Sequence, residues 1–126
     1  MIIAYWIIAG LLALAYLGAG GTKLVRNREQ LIAAGMGWVE GANTGMVKLV
    51  GLLEVAGALG LILPPLTGVM PSLAPLAAIG LILIQAVAIG VHMKLNDTKS
   101  LPVNIILLAL AIAASWLGAA LFAVQS

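Results

Sequence analysis

The chain has 126 residues, 63% of them hydrophobic and only 8% charged, with six basic against four acidic side chains and a net charge of +2. A soluble domain carries about 25% charged residues, so too few polar side chains are present to cover a water-exposed surface; an ordinary globule, a disordered chain and a nucleic-acid binder are excluded. The absence of cysteine removes a disulfide framework, a thiolate nucleophile and Cys-ligated metal or iron–sulfur centres.

The first element is an apolar run over residues 2–21. Ala13-Leu14-Ala15 resembles a signal-peptide cleavage site, but no positive segment precedes the run, and we read it as an uncleaved span. The connection over 22–45 is the only long one. It begins polar, with Lys23, Arg26, Asn27, Arg28, Glu29 and Gln30, and Asn27 followed by Gln30 has the form of a capping box. Leu31, Ile32, Gly35, Met36 and Val39 then share one helical face, which predicts a short helix over 28–39 lying in the membrane interface, with Trp38 as its anchor at headgroup depth. An irregular loop packed over the bundle is the alternative.

Three more apolar runs follow, over 46–63, 73–91 and 101–124. Each run is long enough to cross a hydrocarbon core, which takes roughly 20 helical residues. Backbone groups in lipid must be satisfied internally, so the runs are predicted to be helices. Pro64-Pro65 is expected to stop the second. Pro71, Ser72 and Pro75 mark the start of the third, where proline is tolerated. The turn over 96–100 is polar, and Pro102 falls in the first turn of the fourth. All six basic residues (Lys23, Arg26, Arg28, Lys48, Lys94, Lys99) flank the first and third loops, which share a side when four spans alternate. The positive-inside rule makes that side cytoplasmic and puts both termini outside.

The few polar residues within the spans carry the functional reading. Glu54 lies roughly 12 Å from the basic end of the second span. A charge at a helix centre costs about 2.5–3.5 kcal/mol on insertion scales, so Glu54 is expected to face the bundle interior. Lys48, six residues away, points elsewhere; Lys23 can snorkel towards the carboxylate. Gln85 and His92 are seven residues apart and share a face of the third span, with Gln85 near the depth of Glu54. Asn104 opens the fourth span at the same end. Lys23, Glu54, Gln85, His92 and Asn104 are therefore expected to converge in the cytoplasmic half, leaving Ser115 as a minor polar exception in the other half. One reading is a lipid-accessible polar pocket that binds a headgroup or relays protons. The other is structural: Glu54 and Lys23 clip two helices, Gln85 joins helices, and His92 and Asn104 cap helix ends.

Several motifs fail. Residues 18–23 resemble a phosphate loop, but their order is wrong and no strand precedes them. The sequon at Asn96-Asp97-Thr98 falls on the predicted cytoplasmic side. One histidine and no cysteine leave no transition-metal set. Small residues recur at four-residue spacing, Ala56 with Gly60, Ala86 with Gly90, and Ala111 with Ser115 and Ala119, as in closely approaching membrane helices.

The segment Gly21-Thr22-Lys23-Leu24, the run from Val47 to Leu61 with its Gly-x-x-Glu-x-x-Gly core at Gly51, Glu54 and Gly57, then Pro64, residues 76–81 and His92 together resemble the DoxX-like family of small bacterial four-helix membrane proteins. The resemblance covers nearly the whole chain and implies a four-helix bundle, with Lys23, Glu54 and His92 as the recurring polar positions. It also implies a bacterial inner-membrane location and links to subunits of thiosulfate:quinone oxidoreductases, to membrane-associated redox defence and to assembly of membrane proteins.

The expectation is an all-α integral membrane protein, one four-span domain over 1–126 with a short interfacial helix in its first loop. No self-sufficient catalytic motif is present and no cofactor is firmly implied; a quinone is the candidate, as for a subunit of a quinone-linked oxidoreductase. The leading function is binding of an amphipathic ligand, a quinone or a lipid headgroup, as a membrane subunit of a redox system. The alternative is a non-catalytic assembly or partner-recruiting subunit. The bilayer is the expected partner, with a second copy of the chain or a redox-partner protein next.

Overall fold

A computed structural model describes residues 1–123, and the predicted end of the fourth span at Val124 lies outside them. The elements are α1 (Ile2–Val25), α2 (Arg28–Ala33), a 3-10 turn (Gly37–Gly41), α3 (Thr44–Thr67), α4 (Leu73–Lys94) and α5 (Leu101–Phe122), with no strand among the described residues. The four long helices are each long and apolar enough to cross a membrane. At 1.5 Å per residue they span about 33–36 Å, against a hydrocarbon core of about 30 Å. The protein is an all-α, multi-pass membrane protein.

The helices form an antiparallel bundle in which α1 pairs most closely with α3 and α4 with α5, while α1 and α5 meet less extensively. On α1 and α3 the buried stripe advances in steps of three and four. On α3 it is Val47, Gly51, Glu54, Ala58 and Leu61, and on α1 it is Tyr5, Ala9, Leu12, Tyr16, Gly20 and Lys23. This is the repeat of left-handed, knobs-into-holes packing. The stripes are marked by small and polar residues, while Ile3, Leu14, Leu66, Leu76 and Trp116 point outwards. That inversion is expected where lipid is as apolar as the protein interior and association rests on close packing and interhelical hydrogen bonds.

Two expectations need correction. Pro64-Pro65 does not stop the second span: α3 continues through both prolines to Thr67 and ends on Gly68, whose φ of 75° closes the helix with an N–H bond to the Pro64 carbonyl. The imide of Pro65 has no N–H for the Leu61 carbonyl four residues back. The Tyr5 hydroxyl supplies the missing donor, 2.7 Å from that oxygen.

The interfacial helix is broken rather than continuous over 28–39. The Asn27/Gln30 capping box forms and starts α2, but Gly35 at φ 99° turns the chain before the 3-10 turn begins. A side chain at that φ would be strained. Leu31, Val39 and Val47 bury together with Ile32, Met36, Trp38 and Ala42 around them, and Arg28 donates from Nη2 to the Glu40 carbonyl. The segment is thus folded across the basic end of the bundle, and Trp38 is half-buried in its small core.

The small-residue stripes divide between inner and outer faces. Gly60 does approach Ala77, and Ala111 is buried, but Ala56, Ala86, Gly90 and Ala119 face outwards.

Candidate functional site

The site begins with a backbone contact. At Gly20 a Cβ would stand 2.6 Å from the Gly51 carbonyl oxygen, and at Gly51 it would stand 2.8 Å from that of Gly20. Only glycine at both positions lets α1 and α3 lie this close. Lys23 and Glu54 each follow their glycine by three residues, so both emerge beside the crossing, and Lys23 Nζ lies 2.6 Å from Glu54 Oε1. Both side chains are buried, at 9% and 5% exposure. A charge-assisted bond so far from water holds its geometry firmly, because either partner alone would be a costly buried ion.

Lys48 has a role that spacing alone did not reveal. Its ammonium donates to the carbonyls of Lys23, Leu24 and Arg26, at 2.8, 3.0 and 2.8 Å. It thereby satisfies the open C-terminal end of α1 and interacts favourably with the helix dipole there.

The other predicted residues reach the same half of the bundle and are also buried: Gln85 and His92 on α4 and Asn104 on α5. His92 does not join Glu54. Its Nδ1 lies 2.9 Å from Asp97 Oδ2, and its carbonyl accepts the Asp97 N–H at 2.8 Å, so it locks the turn after α4. Asn104 does not cap α5 through its side chain, which lies inside the bundle. Tyr16 is a residue the sequence reading missed. It is 1% exposed, and its hydroxyl neighbours Gln85 and Glu54. The available signal was its seven-residue spacing from Lys23 on the buried stripe of α1.

These side chains line one partly open cavity of about 890 Å³ between the two helix pairs. Tyr16, Lys23, Glu54, Gln85, His92 and Asn104 supply the polar lining, and Met46, Val50, Ile84, Val87 and Leu107 are among its apolar walls. Gly35, Met36, Trp38, Gly41 and Ala42 line it from the folded first loop. Within it Asn104 Nδ2 is buried without a hydrogen-bond partner, while the Tyr16 hydroxyl and Gln85 Oε1, buried side by side, have no partner beyond each other. Native proteins leave few such atoms, since each costs about 1–3 kcal/mol. The arrangement can accept and donate hydrogen bonds to a polar group held among apolar walls. Among the described residues no three His, Asp or Glu side chains stand together as metal ligands would.

A sequence profile of the DoxX-like family matches residues 7–114, which takes in α1, the folded loop, α3, α4 and most of α5. Neither the curated proteins nor the solved structures yielded a match.

Proposed function

The chain belongs to the DoxX-like family, and on that premise we propose that it binds an amphipathic small molecule, a quinone or a lipid, in the cavity at the basic end of the bundle. The observation that carries this reading is the set of buried polar groups left under-bonded by the chain, the Asn104 amide and the Tyr16–Gln85 pair, inside a cavity large enough for a ligand head and part of its tail. A bound head supplies the missing partners, and the apolar walls accept the tail. The Lys23–Glu54 pair fixes α1 against α3 and so holds one wall in place. Any redox part in this reading is that of a membrane subunit presenting the amphiphile to a partner.

In this reading the protein resides in the bacterial inner membrane with its basic loops in the cytoplasm and both termini outside. The chain has no cysteine, so single cysteines placed at Lys99 and near the C-terminus give unambiguous labels. Labelling of the C-terminal site from the cytoplasm contradicts the orientation.

Native mass spectrometry after mild extraction tests the ligand. The expected spectrum holds a co-purifying amphiphile at about one per chain. Bare protein in several mild detergents contradicts the reading. The outward-facing Ala86 and Gly90 on α4 favour a second reading, recruitment of a partner helix. The same spectrum separates the two, because recruitment predicts a protein complex without a small ligand.

A further inference from the structure

The mouth of the cavity carries chemistry that the buried polar set does not explain. Lys94, Lys99 and Ser100 line it at the basic end. Lys94 and Lys99 are exposed, and neither takes part in the ion pairs of the described residues, Lys23 with Glu54 and His92 with Asp97. Of the nearby carboxylates, Glu54 is held by Lys23 and Asp97 by His92, so neither forms an ion pair with Lys94 or Lys99.

The N-terminus of the 22-residue helix α5 lies in the same place, and no side chain caps it. The Leu101 N–H bonds the Thr98 carbonyl, the Asn104 N–H bonds the Ser100 carbonyl, and Pro102 has no N–H. The Val103 N–H is left open, beside a residue 99 that is lysine and a residue 100 that is serine. Open N–H groups and the helix dipole at such an end favour an anion. Asn104, one residue further on, is 9% exposed, lines the cavity and keeps Nδ2 unpartnered.

We propose that this mouth is a phosphate site, and that the cavity's occupant is an anionic phospholipid. Its phosphate sits between Lys94, Lys99 and the start of α5, an ester carbonyl accepts from Asn104 Nδ2, and its acyl chains leave along the apolar walls. The inference rests on the amphiphile reading above and narrows it: a neutral quinone leaves both lysines and the helix end without a partner.

The test is native mass spectrometry of the full chain in detergent, with phosphatidylglycerol and phosphatidylcholine of identical acyl chains added in equal amounts. The wild type is expected to retain phosphatidylglycerol preferentially. Lys94→Gln and Lys99→Gln should each weaken that retention about fivefold, as one basic residue near an anionic lipid contributes. The double variant should lose the preference and still bind phosphatidylcholine weakly, which shows that it folds. Arg26→Gln, which removes a basic residue outside this cavity, should leave the preference unchanged. Equal retention of the two lipids by the wild type, or an unchanged preference in the double variant, overturns the assignment of an anionic phospholipid to this mouth. Inorganic phosphate that binds alone and displaces the lipid assigns the site to free phosphate and overturns the lipid. A neutral quinone retained equally by the wild type and the double lysine variant overturns this inference while leaving the amphiphile reading standing. That reading fails separately, if no added amphiphile is retained.

Discussion

The two ends of the bundle are built from the same kinds of helix and solve different problems. At the end holding the helix termini and the α3–α4 turn, Tyr5, Leu12, Leu61, Ala74, Ala78, Leu81, Ala114 and Phe122 close into one core. Tyr5 meets Trp6 and Phe122 edge-on, with ring centres 5.5 and 5.1 Å apart, a favoured arrangement. The Tyr5 hydroxyl there is satisfied by the carbonyl that Pro65 leaves open. At the basic end the helices leave a cavity, Asn104 keeps Nδ2 without a partner, and Tyr16 and Gln85 have none beyond each other. Tyr5 and Tyr16 occupy the same stripe of α1, but the Tyr5 hydroxyl serves a backbone carbonyl while that of Tyr16 has only Gln85 beside it. Under the proposed function the difference has one meaning: one end is finished by the chain itself, and the other waits for something the chain binds.

The largest expected effect comes from breaking the buried pair. Lys23→Met leaves the Glu54 carboxylate without its partner, and thermal unfolding in detergent should show a loss of about 3–5 kcal/mol. Combining it with Glu54→Gln should recover most of that loss. A double variant no more stable than Lys23→Met alone would mean that the pair does not carry the contact between α1 and α3.

Next is the glycine crossing. Gly20→Val should force α1 from α3 at a cost of about 1–3 kcal/mol, as overpacking does. Gly10→Ala, where a Cβ meets nothing within 4 Å, should be neutral or gain up to about 1 kcal/mol from helix propensity. Equal effects at the two positions would remove the crossing from the account.

A smaller loss follows Tyr5→Phe at the closed end. It strips the Leu61 carbonyl of its donor and should cost about 1–2 kcal/mol. In a Pro65→Ala background, where the backbone N–H returns, the same substitution should cost clearly less. An undiminished cost there would show that Tyr5 acts through packing alone.

Much of this fold was legible because the lipid environment leaves few options. Four apolar runs of spanning length predict four helices, and Glu54, placed deep in one of them, predicts an inward carboxylate near Lys23. The Asn27/Gln30 capping box was equally direct. Other features were hidden for physical reasons. Proline is read as a helix stop because it removes an N–H, yet here Tyr5, 56 residues away in sequence, serves the vacated carbonyl. The break at Gly35 was masked because residues on both sides of it, Leu31 and Val39, pack inward as a continuous helix would place them. His92 was assigned to the polar cluster by its face on α4, while its partner Asp97 comes from the following turn, which helical spacing does not address. Tyr16 passed unnoticed because an aromatic ring in an apolar run reads as core until the groups around its hydroxyl are known.

The central claim is that the polar atoms in the cavity exist for a ligand, and one measurement meets it directly: thermal unfolding of Gln85→Leu/Asn104→Leu and wild type, each delipidated and each with membrane lipid extract restored. Stripped of lipid, the variant should be as stable as the wild type or more so, because it no longer buries unpaired amides. Adding the extract should raise the wild-type Tm and leave the variant's nearly unmoved, as expected when only one of them binds. A delipidated variant less stable than the wild type, together with equal responses of the two proteins to the extract, would show that Gln85 and Asn104 serve the fold and would contradict the account.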